Sequence, residues 1–346
     1  MPKVALFNHK GGVSKTTTVF NIGWMLAERG HTVLMVDSDP QCNLTGMVLN
    51  FRGLDDFEEF YRQGETIRTG LTPAFEAQPR SIEAVQPVEV AGRPGLYLLA
   101  GDLRLAEYEV TLGIAQELSA AIGALQNLPG SLEFLIRKTS EALSADYVLI
   151  DMSPGLGAIN QNLVAISDYV IVPSAPDFFS VMAIDSLSRV LPRWKGWADQ
   201  AASLPILRDA AYPFPVPTTK FLGTIVQKYR PRSGRPASRF QRWIDEVGHA
   251  VRDRLVPALE VAGMMLDPEQ YRAAGVGDNY MLAQIADFNS LVSISQEHST
   301  PVFALTAAQL DSIGVVLAIS EESRDSFHAE FAALADRVEA LTSTRL

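Results

Sequence analysis

Cysteine is nearly absent. Cys42 is the single one in 346 residues, which excludes an internal disulfide and any metal centre built on several thiolates. Long apolar runs are missing too: no stretch approaches the roughly 18 uninterrupted apolar residues that span a bilayer. The opening MPKVALFNHKGG has neither the apolar core nor the small-residue cleavage site of a secretory signal. The expected compartment is therefore the cytoplasm. The five histidines, His9, His31, His249, His298 and His328, have no metal-ligand spacing. No G-x-G-x-x-G follows the first apolar run, so the usual dinucleotide-binding turn is excluded. Internal repeats and low-complexity tracts are also lacking.

Positive charge is in short supply, with 29 Lys and Arg against 40 Asp and Glu and a net charge of −11. That balance argues against a general affinity for nucleic acid. The shortage is uneven, however. Between Lys220 and Arg254 stand nine basic residues against Asp245, Glu246 and Asp253. This island suits either a phosphate-backbone surface, with Lys228, Arg230, Arg232, Arg235, Arg239 and Arg242 as DNA contacts, or a solvated face paired with acidic neighbours.

What is present is an ordinary globular composition, 47% apolar and 20% charged, and a rhythm of strands and helices. Short apolar runs at 4–8, 32–37, 96–100, 147–151, 169–173 and 222–227 read as strands. They are continuously apolar rather than alternating, as in strands covered on both faces. The first two enclose a helix over 16–29 that ends near Gly30. This order predicts an α/β fold: a doubly wound, mostly parallel sheet flanked by helices. A single domain over 1–346 is expected, with helical additions at about 50–95 and 192–280. The second contains the closely spaced prolines of AYPFPVPTTK, a stiff extended connection, and R-P-R-S-G-R-P, an exposed loop. The last helix places Phe327, Phe331, Leu334, Val338 and Leu341 on one face. Its polar side carries Glu330, Asp336 and Glu339 against Arg337, which favours packing on the core over lying on a membrane.

Three segments carry chemistry. After the first strand comes His9-Lys10-Gly11-Gly12-Val13-Ser14-Lys15-Thr16-Thr17 and then a helix. A glycine turn feeding a helix N-terminus aims several amides and a partial positive charge at one point, so phosphate is the expected guest. Lys15 would neutralise β- and γ-phosphate charge, and the Thr16 hydroxyl would bind Mg²⁺. His9 and Ser14 stand where the strict P-loop pattern asks for glycine. If the turn needs a positive φ at Ser14, the serine costs roughly 1–2 kcal/mol. The second strand ends Asp37-Ser38-Asp39-Pro40-Gln41, with two carboxylates at the carboxyl edge where open α/β sheets bind ligands. The fourth of these apolar runs ends Ile150-Asp151-Met152-Ser153-Pro154-Gly155, four apolar residues before an aspartate that suits Mg²⁺. Cys42 has no neighbour that would activate it as a nucleophile.

KGGVSKTT closely resembles the K-G-G-x-x-K-T signature of the ParA/MinD family of deviant Walker A P-loop ATPases. The D-x-D-P-Q segment, the run ending at Asp151, Leu96–Glu109 and Pro173–Ser180 extend the resemblance. It covers residues 1–190 well and 220–346 loosely. It implies ATP and Mg²⁺ bound by Lys10, Gly11, Gly12, Val13, Ser14, Lys15, Thr16 and Thr17, with Lys10 reaching the phosphates of a partner subunit. Asp39 would orient the attacking water, Asp37 and Asp151 would stand near the metal, and Gln227 would read the adenine edge. A ParA-like partition ATPase follows from it, with slow hydrolysis, an ATP-dependent homodimer, non-specific DNA, association with the nucleoid, and a protein partner that stimulates turnover. The alternative is an ATP-gated scaffold that localises a protein apparatus without DNA. One cysteine is too few for the iron–sulfur reductases of the same fold.

Overall fold

In the computed structural model, residues 1–51, 53–118, 123–232 and 235–343 are described. The six apolar runs all form strands: β1 (Lys3–Leu6), β2 (Val33–Asp37), β4 (Leu96–Leu99), β5 (Tyr147–Asp151), β6 (Tyr169–Ser174) and β7 (Lys220–Tyr229). Two further sheet strands join them, the short β3 (Val88–Glu89) and β10 (Met281–Ala286). The sheet order is β10-β7-β6-β1-β5-β2-β4-β3, parallel except for β3 against β4.

Strand periodicity explains why these runs are apolar throughout. Val4, Leu6, Val33 and Met35 enter one core, while Ala5, Leu34 and Val36 enter a second on the opposite face. Each residue is buried by whichever helical layer it meets. The first core holds the helix after β1, Lys15–Glu28, and the terminal helix Gly314–Thr342, whose Phe327, Phe331, Leu334, Val338 and Leu341 are all buried. The second holds the helices Leu128–Leu143, Ala158–Ile166, Phe178–Ser203 and Ser238–Ala250. No helix among the described residues is long and apolar enough to cross a membrane.

The stretch 50–95 forms the helices Leu54–Gln63 and Ile67–Phe75 and then β3. The stretch 192–280 has β7 running through it, between β6 and β10, so sheet and helical material interleave there. The R-P-R-S-G-R-P segment differs from the loop expected. Its two ends pair as short antiparallel strands, β8 (Pro231–Arg232) against β9 (Arg235–Pro236); Ser233 and Gly234, and the side chains of Arg232 and Arg235, lie outside the described residues. The proline-rich connection is tied down by Tyr212. Its hydroxyl accepts a hydrogen bond from the Ile82 amide at 3.0 Å, and its ring lies 4.9 Å from that of Phe134. Its backbone presses so close to Gly130 that a β-carbon there would meet the Tyr212 carbonyl oxygen at 2.0 Å.

Candidate nucleotide site

The carboxyl edges of β1, β2 and β5 converge, because Leu6 and Asp37 both pair with Asp151 in the parallel register. The loop after β1 begins at Asn8, which is fully buried and donates to the Pro173 carbonyl at 2.8 Å. Its side-chain oxygen accepts the Lys10 amide at 2.9 Å. Gly12 has φ 74° and Ser14 φ 61°, both left-handed. Ser14 therefore bears the strain anticipated for a serine at a glycine position. The helix starts at the next residue and presents its free amides to the loop.

Lys15 is buried and donates to the Asn8 carbonyl at 3.1 Å. Burial lowers its pKa, and the nearby Asp151 and Asp39 carboxylates oppose that shift. Beneath it lies Asp151, fully buried, with both carboxylate oxygens unpartnered. Burial raises its pKa well above the usual carboxylate range, and Asp37 adds to the shift; the Thr16 hydroxyl eases it without forming a hydrogen bond of ordinary geometry. A bare buried carboxylate beside a threonine hydroxyl has the chemistry of a Mg²⁺ site completed by phosphate oxygens and water. Among the described residues no three His, Cys, Asp or Glu side chains are grouped to hold a metal by themselves. A cation here would therefore need the phosphates.

Asp37 is also fully buried, but its needs are met. It accepts the Thr45 amide at 2.8 Å, the Thr45 hydroxyl at 2.6 Å and the Asp39 amide at 3.2 Å. Burial pushes its pKa up to about 6 against the pull of those bonds. Asp39 is nearly buried, accepts the Gln41 amide at 2.9 Å and faces the cavity. That cavity, about 760 Å³, is lined by residues 11–17, Asp39, Pro154 and Lys228, together with Met47, Asn50, Phe51, Phe57 and Gln296. The size suits a nucleotide. Cys42 is on its wall, but burial pushes the thiol up to about 12, so it is inert at neutral pH.

Two of the candidate residues have partners within the protein. Gln227 is not brought to the cavity: it is buried in β7, and its amide donates to the Thr18 hydroxyl at 2.5 Å. The strand turns it toward the phosphate-loop helix. Lys228 is exposed, and its ammonium donates to the Gly12 carbonyl at 3.1 Å. Arg230, Arg239 and Arg242 are exposed, the last two lying over the rings of Phe240 and Trp243. Arg252 and Arg254 are ion-paired with Asp253 and Asp185.

A partner for Lys10 was missed from sequence. Its ammonium donates to both oxygens of Asp177 at 2.6 Å and to the Ser180 hydroxyl at 3.0 Å. Asp177 also caps the helix Phe178–Ser203 through the Ser180 amide at 2.8 Å. Although partial burial works the other way, these bonds hold the Asp177 pKa below its usual value. The D-x-x-S spacing after β6 signals the helix cap at Asp177 but not its pairing with Lys10.

A family model described as an AAA domain matches residues 1–199, more than half the chain. The chain belongs to this family, among the ParA/MinD-like P-loop ATPases. The chromosome partitioning protein ParA of Caulobacter vibrioides is 31% identical over 199 residues, 56% of this chain and 63% of ParA. Soj of Bacillus subtilis, a sporulation initiation inhibitor protein, is 28% identical over 192 residues, 54% of this chain and 62% of Soj. The chain thus spans less than two thirds of either relative's length. In fold, a Corynebacterium diphtheriae protein superposes over the whole of both chains with a TM-score of 0.67 at 19% identity. Apo McdA of Cyanothece does so over 98% of this chain and 99% of its own, with a TM-score of 0.57 at 16% identity.

Proposed function

We propose that this chain is a single-domain, ParA-like positioning ATPase that binds Mg-ATP, pairs with a second copy in the ATP state and hydrolyses ATP slowly. The observation that carries this is the bare, buried Asp151 carboxylate beside Thr16, under a loop whose amides and Lys15 face the same cavity. Lys15 and the loop amides would bind the phosphates. Thr16 and Asp151 would hold Mg²⁺, which supplies charge compensation for the transferring phosphoryl group. Asp39 would align the water. Lys10 would leave Asp177 to meet the partner's phosphates, in the manner of an arginine finger. ParA and Soj are named for partitioning and sporulation, and a Cyanothece McdA variant was crystallised as its ATP complex. Both accord with this reading.

The exposed Arg239 and Arg242, interleaved with Phe240 and Trp243, support non-specific DNA as the cargo surface, with a protein partner triggering release. The test is solution mass with ATP, ADP and no nucleotide for the parent, Lys10→Ala and Asp39→Ala. The parent should pair with Mg-ATP only, Asp39→Ala should persist as an ATP-bound dimer, and Lys10→Ala should fail to pair or to hydrolyse. Absence of Mg²⁺-dependent nucleotide binding by the folded parent would falsify the proposal. DNA retention should require ATP and vanish by about 0.5 M salt; a complex with a protein partner that never touches DNA would favour the scaffold alternative.

A further inference from the structure

β7 does not pair evenly with β10. Ile285 is opposite Gln227 and Ala286 is opposite Tyr229, so Lys228 is an extra residue between two paired positions. Its φ of 65° is left-handed, a conformation that costs a non-glycine residue roughly 1–2 kcal/mol. Bulges of this kind re-aim a side chain, and strain of this size is held only where the surroundings enforce it. Here both neighbours are pinned. Gln227 is buried against the Thr18 hydroxyl, and Tyr229 is buried with its carbonyl accepting the Asp287 amide at 2.9 Å.

The pinned bulge throws the lysine off the sheet edge. Its ammonium crosses to the phosphate loop and donates to the Gly12 carbonyl at 3.1 Å, on the cavity wall. A neutral carbonyl is a modest partner for an ammonium. A phosphate oxyanion in the same cavity adds charge–charge attraction to that bond and is the better partner. Lys10 and Lys15 belong to the loop itself, whereas Lys228 arrives from β7, two strands away from β1 in the sheet.

Building on the nucleotide site argued above, we propose that Lys228 is a third cation of that site. It braces the loop through Gly12 without nucleotide and turns to a phosphate oxygen of the bound nucleotide. It is therefore a nucleotide-binding residue and not a DNA contact.

The experiment is titration of the full chain with fluorescent ATP, ADP and adenosine, for the parent, Lys228→Gly, Lys228→Met, Lys228→Arg and Lys15→Ala. Lys228→Gly accepts the left-handed backbone, so it separates loss of the ammonium from loss of the fold, which a melting curve confirms. Lys228→Gly and Lys228→Met should bind ATP and ADP about tenfold more weakly, with adenosine unaffected and a shallower salt dependence for ATP. Lys228→Arg should stay within about threefold of the parent. Unchanged ATP and ADP affinity in Lys228→Gly overturns the assignment, as does an equal loss for adenosine, which marks a structural role. Weakened DNA retention with intact nucleotide affinity returns Lys228 to the basic surface and also overturns it. Lys15→Ala reports on the underlying reading: if neither it nor the parent binds nucleotide, the site itself is refuted, and Lys228 with it.

Discussion

Asp37 and Asp151 end neighbouring strands, pair with each other in the sheet and are equally buried. Asp37 has three donors satisfied, two from Thr45 and one from Asp39. Asp151 has none. Burial makes both carboxylates costly to ionise, but only Asp37 is compensated by the protein. The difference separates a carboxylate that builds the loop after β2 from one that awaits a cation.

Four substitutions would break or sharpen that contrast. Asp37→Ala should have the largest effect. It strands the Thr45 amide and hydroxyl and the Asp39 amide, and should lower unfolding stability by about 3 kcal/mol, measured by urea denaturation without nucleotide. Equal stability would place Asp37 with Asp151. Asp151→Asn should act oppositely. Mg-ATP affinity should fall about 100-fold, while the nucleotide-free protein melts higher at pH 8 because a bare buried charge is removed. If melting falls as it does for Asp37→Ala, Asp151 is structural. Asp177→Ser extends the contrast to a carboxylate satisfied by a lysine. Serine keeps the helix cap and releases Lys10, so ATP-dependent pairing should occur at about tenfold lower protein concentration, read by analytical ultracentrifugation.

The smallest effect is expected at Glu330, a second bare acid but one remote from the phosphate loop. Burial raises its pKa from 4.5 to about 7, against the pull of the Ala286 backbone, and one of its oxygens has no partner. A folded pKa above the unfolded one means that its contribution is fully present below about pH 4.5 and is lost as pH rises through 7. Glu330→Gln should therefore flatten the fall in melting temperature between about pH 5.5 and 8.5 and raise it by roughly 2 °C at the alkaline end, with nucleotide affinity unchanged. A matching loss of affinity would mean that bareness alone does not distinguish Asp151.

Much of this architecture was legible because it is local. The six strands and the helix after β1 follow from apolar runs and a glycine stop, and Ser14's left-handed backbone follows from the glycine pattern it interrupts. β10 was not legible, since Gln284 interrupts its apolar run and is exposed. Nor was the direction of Lys228, because the bulge exists only in register with β10. The Lys10–Asp177 pair joins residues 167 positions apart, and no local pattern links them. The Gln227–Thr18 contact was not legible either, because the run reveals the strand but not which helix its amide meets.

Tyr212 has a wider consequence. One aromatic residue of the proline-rich connection holds the Ile82 amide, lies against Phe134 and presses on Gly130. The stretches at 50–95 and 192–280 are therefore clasped through a shared residue. Deleting either stretch would leave the other with an unfilled notch, and grafting one alone onto a plainer scaffold would carry half of a joint.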